Sequence, residues 1–290
     1  MMRIVFMGTP DFAVPCLSRL VNDGHDIAAV FCQPDKPQGR RLLLTPPPVK
    51  AYALSRFLTV LQPQTLRGQT DMFELLRMLA PDVIVVVAYG KILLREILDI
   101  PKYGCINVHA SLLPKYRGAA PYQWAVLNGE TETGVTTMQM DAGIDTGDML
   151  LQEKCAIPGD MTAGELHDIL SELGAQTLAR TLAQLADIVP QKQDHARASH
   201  APMLDKSMSP IDWTRPAWEI HNHIRGLNPW PGASMEFDGR PLKIHRARVS
   251  ETGCTPLHIP CGDGKYIELL SVQAQGKKAM DAGDFLRGLR

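Results

Sequence analysis

Along the first half of the chain, short apolar runs alternate with stretches of helical spacing. Residues 4–7, 26–32, 83–88 and 104–109 read as strands, and Val83-Ile84-Val85-Val86-Val87 is the β-branched run expected of a parallel strand buried on both faces. Between them, residues 11–22, 49–55 and 71–79 carry apolar side chains at helical intervals. Strand–helix alternation predicts a doubly wound α/β fold with a mostly parallel sheet. Its ligands should lie beyond the carboxyl ends of the strands.

The pattern then changes. Residues 133–140 and 148–156 read as a strand pair around the turn-rich Asp141-Ala142-Gly143-Ile144-Asp145-Thr146-Gly147. Thr162-Ala163-Gly164-Glu165 is a capping box that opens a helix running to about residue 187. A polar stretch over 190–209 has no sustained period and reads as an interdomain linker. From residue 211 the chain begins again, with a short helix over 216–226 and strands over 232–237, 240–249 and 265–270. This is a small β-rich domain, read as a barrel. The divisions expected are a Rossmann-like catalytic domain over 1–189, a linker over 190–208 and a β domain over 209–290.

Composition narrows the classes. With 290 residues, 45% hydrophobic and 21% charged, the chain is a globular protein of two-domain size. No apolar run approaches the ~18 residues of a membrane span, and the first residues lead directly into a strand, so a cytoplasmic location and no membrane partner are expected. The six cysteines show no metal-finger spacing and read as buried thiols, so no metal is expected. The net charge of -1 leaves room for one local basic patch. From Ser209 onward, 11 Lys and Arg stand against 9 Asp and Glu, a weak tilt toward a polyanion.

Gly8-Thr9-Pro10-Asp11 follows the first strand but lacks the glycines of a dinucleotide fingerprint, and no GxxxxGK[ST] loop is present. The informative segment is Asn107-Val108-His109-Ala110-Ser111-Leu112-Leu113-Pro114. The strand period of two puts Asn107 and His109 on one face at the strand's carboxyl end. Both could donate hydrogen bonds to a developing oxyanion. The alternative is a turn-capping Asn107 and a core His109. Cys105 shares that face, but four residues on a strand span roughly 13 Å, beyond the reach of a nucleophile–base pair. The 141–148 loop, with three acids and two glycines, suits close approach to a ligand or a plain hairpin. The insertion over 34–48, PDKPQGRRLLLTPPP, is basic and carries an exposed Leu42-Leu43-Leu44 run.

Asn-x-His followed by SLLPKYRGAAP, then DAGIDTGD some thirty residues on, resembles the folate-dependent formyltransferases. MRIVFMGTPDFAVPCL, QPDKPQGR, IDW, NPWPGA and GKKAM extend the likeness over nearly the whole chain, toward members that act on charged initiator tRNA. The resemblance implies a formyl transfer from 10-formyltetrahydrofolate, as co-substrate, to the amine of methionyl-initiator tRNA. It implies a catalytic trio of Asn107, His109 and Asp145. It also implies folate contacts at Ser111, Leu112, Leu113 and Pro114 and near Tyr89 and Gly90. Contacts to tRNA are expected at Arg40, Arg41 and Lys206, an OB-like fold in the C-terminal domain, and a monomer as the acting unit. Departures occur at Arg41-Leu42-Leu43-Leu44, at His200-Ala201-Pro202-Met203, and between Val249 and Tyr266, where a strand around residues 254–259 is expected to be missing. Competing readings are a formyltransferase for an amino sugar-nucleotide and a non-catalytic folate- or tRNA-binding protein.

Overall fold

A computed structural model describes the chain except Arg40, Arg41, Gln69 and Arg290 and the side chain of Gln38. The chain divides into two compact units. One comprises residues 1–117, 134–154 and 168–199, and the other residues 118–133, 155–167 and 200–290.

The first unit is built on the expected sheet. Arg3–Gly8 lies at its centre, paired in parallel with Asp26–Phe31 on one side and Val83–Val87 on the other. Asp26–Phe31 continues in parallel to Val60–Leu61, and Val83–Val87 continues in parallel to Cys105–His109. Beyond that strand, Glu132–Gln139 pairs antiparallel with it, and Met149–Ala156 forms the edge. The chain thus winds outward one way from the first strand, then returns and winds the other. The reversal lies between Arg3–Gly8 and Val83–Val87, the crevice where open α/β sheets take ligands. Thr9 spans it, donating from Oγ1 to the carbonyl of Tyr89 (2.9 Å) while its Oγ1 accepts from Gln33 N–H (3.2 Å).

One apolar layer of this unit gathers Val5, Met7, Phe31, Leu76, Ile84, Val86 and Cys105. Val14–Asn22, Pro48–Ser55 and Thr70–Leu79 are helical, within three residues of the periodicity. Residues 11–13 form a 3-10 turn before the first of these helices. The capping box forms: Thr162 N–H donates to Glu165 Oε2 (2.9 Å) and Glu165 N–H to Thr162 Oγ1 (3.2 Å). The helix it opens, Ala163–Ala183, stops four residues short of the expected end. Val60–Leu61 and Arg95–Leu98 are too short for periodicity to reveal.

In the second unit, Ala217–Gly226 packs against Pro121–Leu127 and the long strand Arg240–Ser250. That strand pairs antiparallel with Ala233–Phe237 and Tyr266–Ala274, over a core of Ile220, Ile224, Leu242, Ile244, Ile267 and Val272. The expectation of a missing strand is corrected in part, because His258–Pro260 pairs with residues 266–268. The short connection before it is tied down by Glu268. This carboxylate, 1% exposed, accepts from Cys254 N–H (2.8 Å) and from Arg248 Nε (2.6 Å). The Arg248 hydrogen bond holds it below the usual carboxylate range. The pairings establish an antiparallel sheet with a helix on it; among the described residues they form an open path rather than a closed ring.

Candidate active site at the carboxyl edge of the sheet

Strand alternation does at Cys105–His109 what the sequence suggests. Cys105 is packed into the apolar layer, and Asn107 and His109 follow it on the same face toward the strand's carboxyl end. Burial, with the Asp99 charge adding to it, pushes the Cys105 thiol up to about 12, so it holds its proton and is no nucleophile. Asn107 is 9% exposed and His109 6%. Among the described residues no hydrogen bond engages the Asn107 carboxamide, which leaves a nearly buried amide available to a ligand.

The His109 ring sits between two acceptors. Nε2 lies 2.9 Å from the carbonyl oxygen of Tyr116, and Nδ1 lies 3.7 Å from Asp145 Oδ2. A carbonyl only accepts, so Nε2 carries hydrogen. At 3.7 Å the Asp145 contact is an ion-pair separation rather than a direct hydrogen bond. Nε2 is therefore committed to the Tyr116 carbonyl, and Nδ1 is the nitrogen on the Asp145 side without a direct hydrogen bond to it.

Asp145 is presented by backbone that few residues tolerate. Its φ is +53°, in the left-handed region that Asp enters more readily than most. The loop is folded on itself: Asp141 Oδ1 accepts from Gly143 N–H (3.0 Å) and from Thr146 Oγ1 (2.7 Å). A Cβ on Gly147 would fall 1.8 Å from the carbonyl of Gln139, so only glycine passes there.

Two further residues hold this loop, and the sequence alone did not single them out. Gln193, from the stretch read as linker, is nearly buried; its Nε2 donates to the carbonyls of Asp145 (2.9 Å) and Gly147 (2.7 Å). Its Oε1 accepts from Arg117 Nε (3.0 Å) and a terminal nitrogen (2.6 Å). A buried Gln in an aperiodic polar stretch leaves no signature in hydrophobic spacing. Arg117 lies inside the quoted KYRGAAP motif but had no assigned role.

The remaining expected residues divide by burial. The Ser111 and Leu113 side chains are inside: Ser111 Oγ donates to the Lys115 carbonyl (2.6 Å), and Thr136 Oγ1 ties Ser111 O (2.6 Å) to Leu113 N–H (3.1 Å). Leu112 and Pro114 are half-buried. The Tyr89 ring turns into the core, whereas Ala88 and Gly90, both at positive φ, are exposed at the end of their strand. Lys206 is exposed at the start of a 3-10 turn in the second unit. Arg40 and Arg41 lie outside the described residues. Around them the insertion forms a hairpin of Lys36–Gln38 with Leu43–Thr45. Lys50, near its base, is engaged by both oxygens of Asp35 (2.8 Å) and by Gln62 Oε1 (2.7 Å).

Fold and rim together define a doubly wound α/β protein whose strand ends carry an amide, an imidazole and an acid placed for polar chemistry. Comparison makes this specific. The profile described as Formyl transferase matches residues 2–182, and that described as Formyl transferase, C-terminal domain, matches residues 203–290. Methionyl-tRNA formyltransferase of Caldanaerobacter subterraneus subsp. tengcongensis is 50% identical over 300 aligned positions, covering 99% of this chain and 97% of that protein. That of Pelotomaculum thermopropionicum is 51% identical over 301, covering 99% and 96%. Among solved structures, an N-formyltransferase from Helicobacter canadensis in complex with folinic acid and dTDP-3-aminofucose superposes with a TM-score of 0.70. It is 21% identical and covers 93% of this chain and 99% of that one, a likeness of fold. The chain belongs to the formyl transferase family.

Proposed function

We propose that this chain transfers the formyl group of 10-formyltetrahydrofolate to the amino group of methionyl-initiator tRNA. The observation that carries the chemistry is the His109 ring, set between the Tyr116 carbonyl and the Asp145 carboxylate beside a nearly buried Asn107 amide. The acceptor is supported by relatives about 50% identical over the full chain and named for methionyl-tRNA. Likeness to sugar formyltransferases rests on the fold alone.

The rim suits a folate. The exposed Ala88 and Gly90 backbone and the exposed residues 141–144 offer hydrogen-bonding groups along an edge, while Leu112 and Pro114 offer apolar surface. When bound, the donor supplies an already activated formyl group, so no protein nucleophile is required. As the amine adds to the formyl carbon, charge gathers on the formyl oxygen. The Asn107 amide N–H and the His109 Nδ1–H stabilise it, with Nε2 kept in place by Tyr116. The incoming ammonium first sheds one proton to solvent to become the attacking amine. After addition, Asp145, directly or through water, takes the second proton from the adduct nitrogen and passes it to the departing folate nitrogen as that nitrogen's bond to the formyl carbon breaks.

Recognition of tRNA is assigned to the insertion with Arg40 and Arg41, to Lys206, and to the 209–290 domain as an OB-like fold. The 1–189 domain, together with the strap that follows it to residue 199, carries the chemistry, and the rest of the 190–208 stretch leads on to the C-terminal domain. The acting unit is a monomer in the cytoplasm, a reducing compartment in keeping with six free cysteines. The test is a formylation assay with donor and charged initiator tRNA beside an amino sugar-nucleotide control, repeated over a range of salt. Formylation of the tRNA, with binding that weakens steeply with salt, is expected. Preference for the sugar amine would overturn the acceptor assignment.

A further inference from the structure

The stretch 190–199 contains two contacts that meet on either side of His109. Its start is fastened by paired backbone bonds between Gln191 and Met149 (2.8 Å each). Two residues on, Gln193 uses both of its N–H donors on the Asp145 and Gly147 carbonyls and both acceptor sites on Arg117. A carboxamide has two donors and two acceptor lone pairs, and all four are engaged. At its end, Ser199 Oγ accepts from Tyr116 N–H (2.9 Å), and the Ser199 carbonyl accepts from Arg117 N–H (2.9 Å). Tyr116 is itself at positive φ, +61°, an unusual conformation for a bulky residue, and its carbonyl is the acceptor for His109 Nε2. Both groups that set the imidazole, Asp145 and Tyr116, thus stand in left-handed backbone and are both tied to the same ten-residue strap.

We propose that Gln193 is a positioning residue of the formyl-transfer site: with Ser199, it fixes the two acceptors that orient His109, and it acts through Asp145. The proposal rests on the reading of His109 and Asp145 given above. The residue type follows from the geometry. Glu would turn acceptor oxygens toward two carbonyls, Asn is one carbon too short to span from Arg117 to the loop, and Met fills the volume while donating nothing. Left without the latch, the loop relaxes away from the strained φ of Asp145, and a shift near 1 Å at the carboxylate is enough to be felt in turnover.

The experiment is a double-mutant cycle with the full chain, using Gln193→Met, Asp145→Asn and their combination. Charged initiator tRNA and formyl donor are the substrates, and the 15N signals of the His109 imidazole are recorded alongside. Gln193→Met should lower kcat about tenfold to a hundredfold, leave KM for the donor within about twofold, and move the His109 signals. The double variant should be no slower than Asp145→Asn alone, because the latch has nothing left to position. Ser199→Ala, a milder change at the other end of the strap, should move the same signals in a chain of ordinary thermal stability. Losses that simply multiply in the double variant would reduce Gln193 to a structural brace. Unchanged kcat and unmoved His109 signals in Gln193→Met would overturn the proposal outright. If Asp145→Asn itself turns over normally, the proposed mechanism falls first and the inference falls with it.

Discussion

Two loops of the first unit, the proline-rich 34–48 and the Asp- and Gly-rich 141–148, are both dense in turn residues and are built in opposite ways. The 141–148 loop is closed on itself by Asp141, pressed against Gln139 at Gly147, and latched by Gln193, so its acid is held in a conformation it would not choose. The insertion projects a hairpin of two three-residue strands, with Leu42, Leu43 and Leu44 exposed at 72%, 64% and 68%. Its firm contacts lie at the base, where Lys50, Asp35 and Gln62 meet. A loop that stabilises developing charge gains from being preorganised, since donors that need not move cost nothing at the moment of reaction. Exposed apolar side chains such as Leu42, Leu43 and Leu44 are instead the kind of surface that a partner can cover.

The sharpest way to break this contrast is at the rigid side. His109→Ala and Asn107→Ala should each lower kcat by about a hundredfold to a thousandfold, the loss typical of one missing oxyanion donor, with donor binding little changed. Near-normal turnover in either would show that the rim holds the folate without doing the chemistry. Asp145→Asn should cost less, about tenfold to a hundredfold, and should reshape the pH profile of kcat, because an amide cannot take up the proton of the adduct nitrogen. An unaltered profile would leave Asp145 as a turn residue only.

On the exposed hairpin, replacing Leu42, Leu43 and Leu44 together by Ser should lower kcat/KM on charged tRNA by about three- to tenfold, equivalent to ~1 kcal/mol of lost apolar contact. Thermal midpoint and donor affinity should stay where they are, since these side chains already face water. Arg40→Ala should act in the same direction and lower the salt slope of tRNA binding by roughly one phosphate's worth. A fall in thermal midpoint in the Leu variant would mean the leucines serve the fold, and the contrast between the loops would dissolve.

How far sequence reading reached follows the same division. The sheet, its helices, the capping box and the Asn107–His109 face were legible because side-chain period reports burial directly, and a five-residue β-branched run admits few readings. What periodicity could not carry were contacts made by hydrogen bonds alone. Gln193 looks like any polar linker residue, yet it sits buried with every valence used. The carbonyl of Tyr116 beside Nε2 depends on a backbone twist at +61° that no residue type announces. The His258–Pro260 strand is three residues long, below the length at which alternation means anything. The engagement of Lys50 by Asp35 and Gln62 is likewise a matter of hydrogen bonds that side-chain period does not report.

That last contact supplies the smallest expected effect and a test of where the insertion's order ends. Hydrogen bonds from Lys50, then Gln62, hold the Asp35 carboxyl below its usual range. A folded-state value lower than the unfolded one means that the pair's stabilisation is complete above the ordinary Asp range, near pH 4. It is lost as pH falls below that toward the depressed value. Lys50→Met keeps much of the side chain's apolar stem and removes the charge. At pH 7 it should lower the thermal midpoint by about 1–2 °C, as befits a partly exposed pair. At pH 3 the gap between variant and parent should have narrowed, because the parent's Asp35 is by then losing its charge as well. Amide exchange should quicken at Asp35, Lys36, Thr45, Val49 and Lys50 while residues 141–148 keep their protection, since no contact joins Lys50 to that loop among the described residues. Quickening in both loops would mean that the hairpin's base braces the catalytic rim too, and the two could no longer be treated as independently built. A gap that widens in acid would mean that Asp35 is not the partner that matters, and that Gln62 alone holds the hairpin at its root.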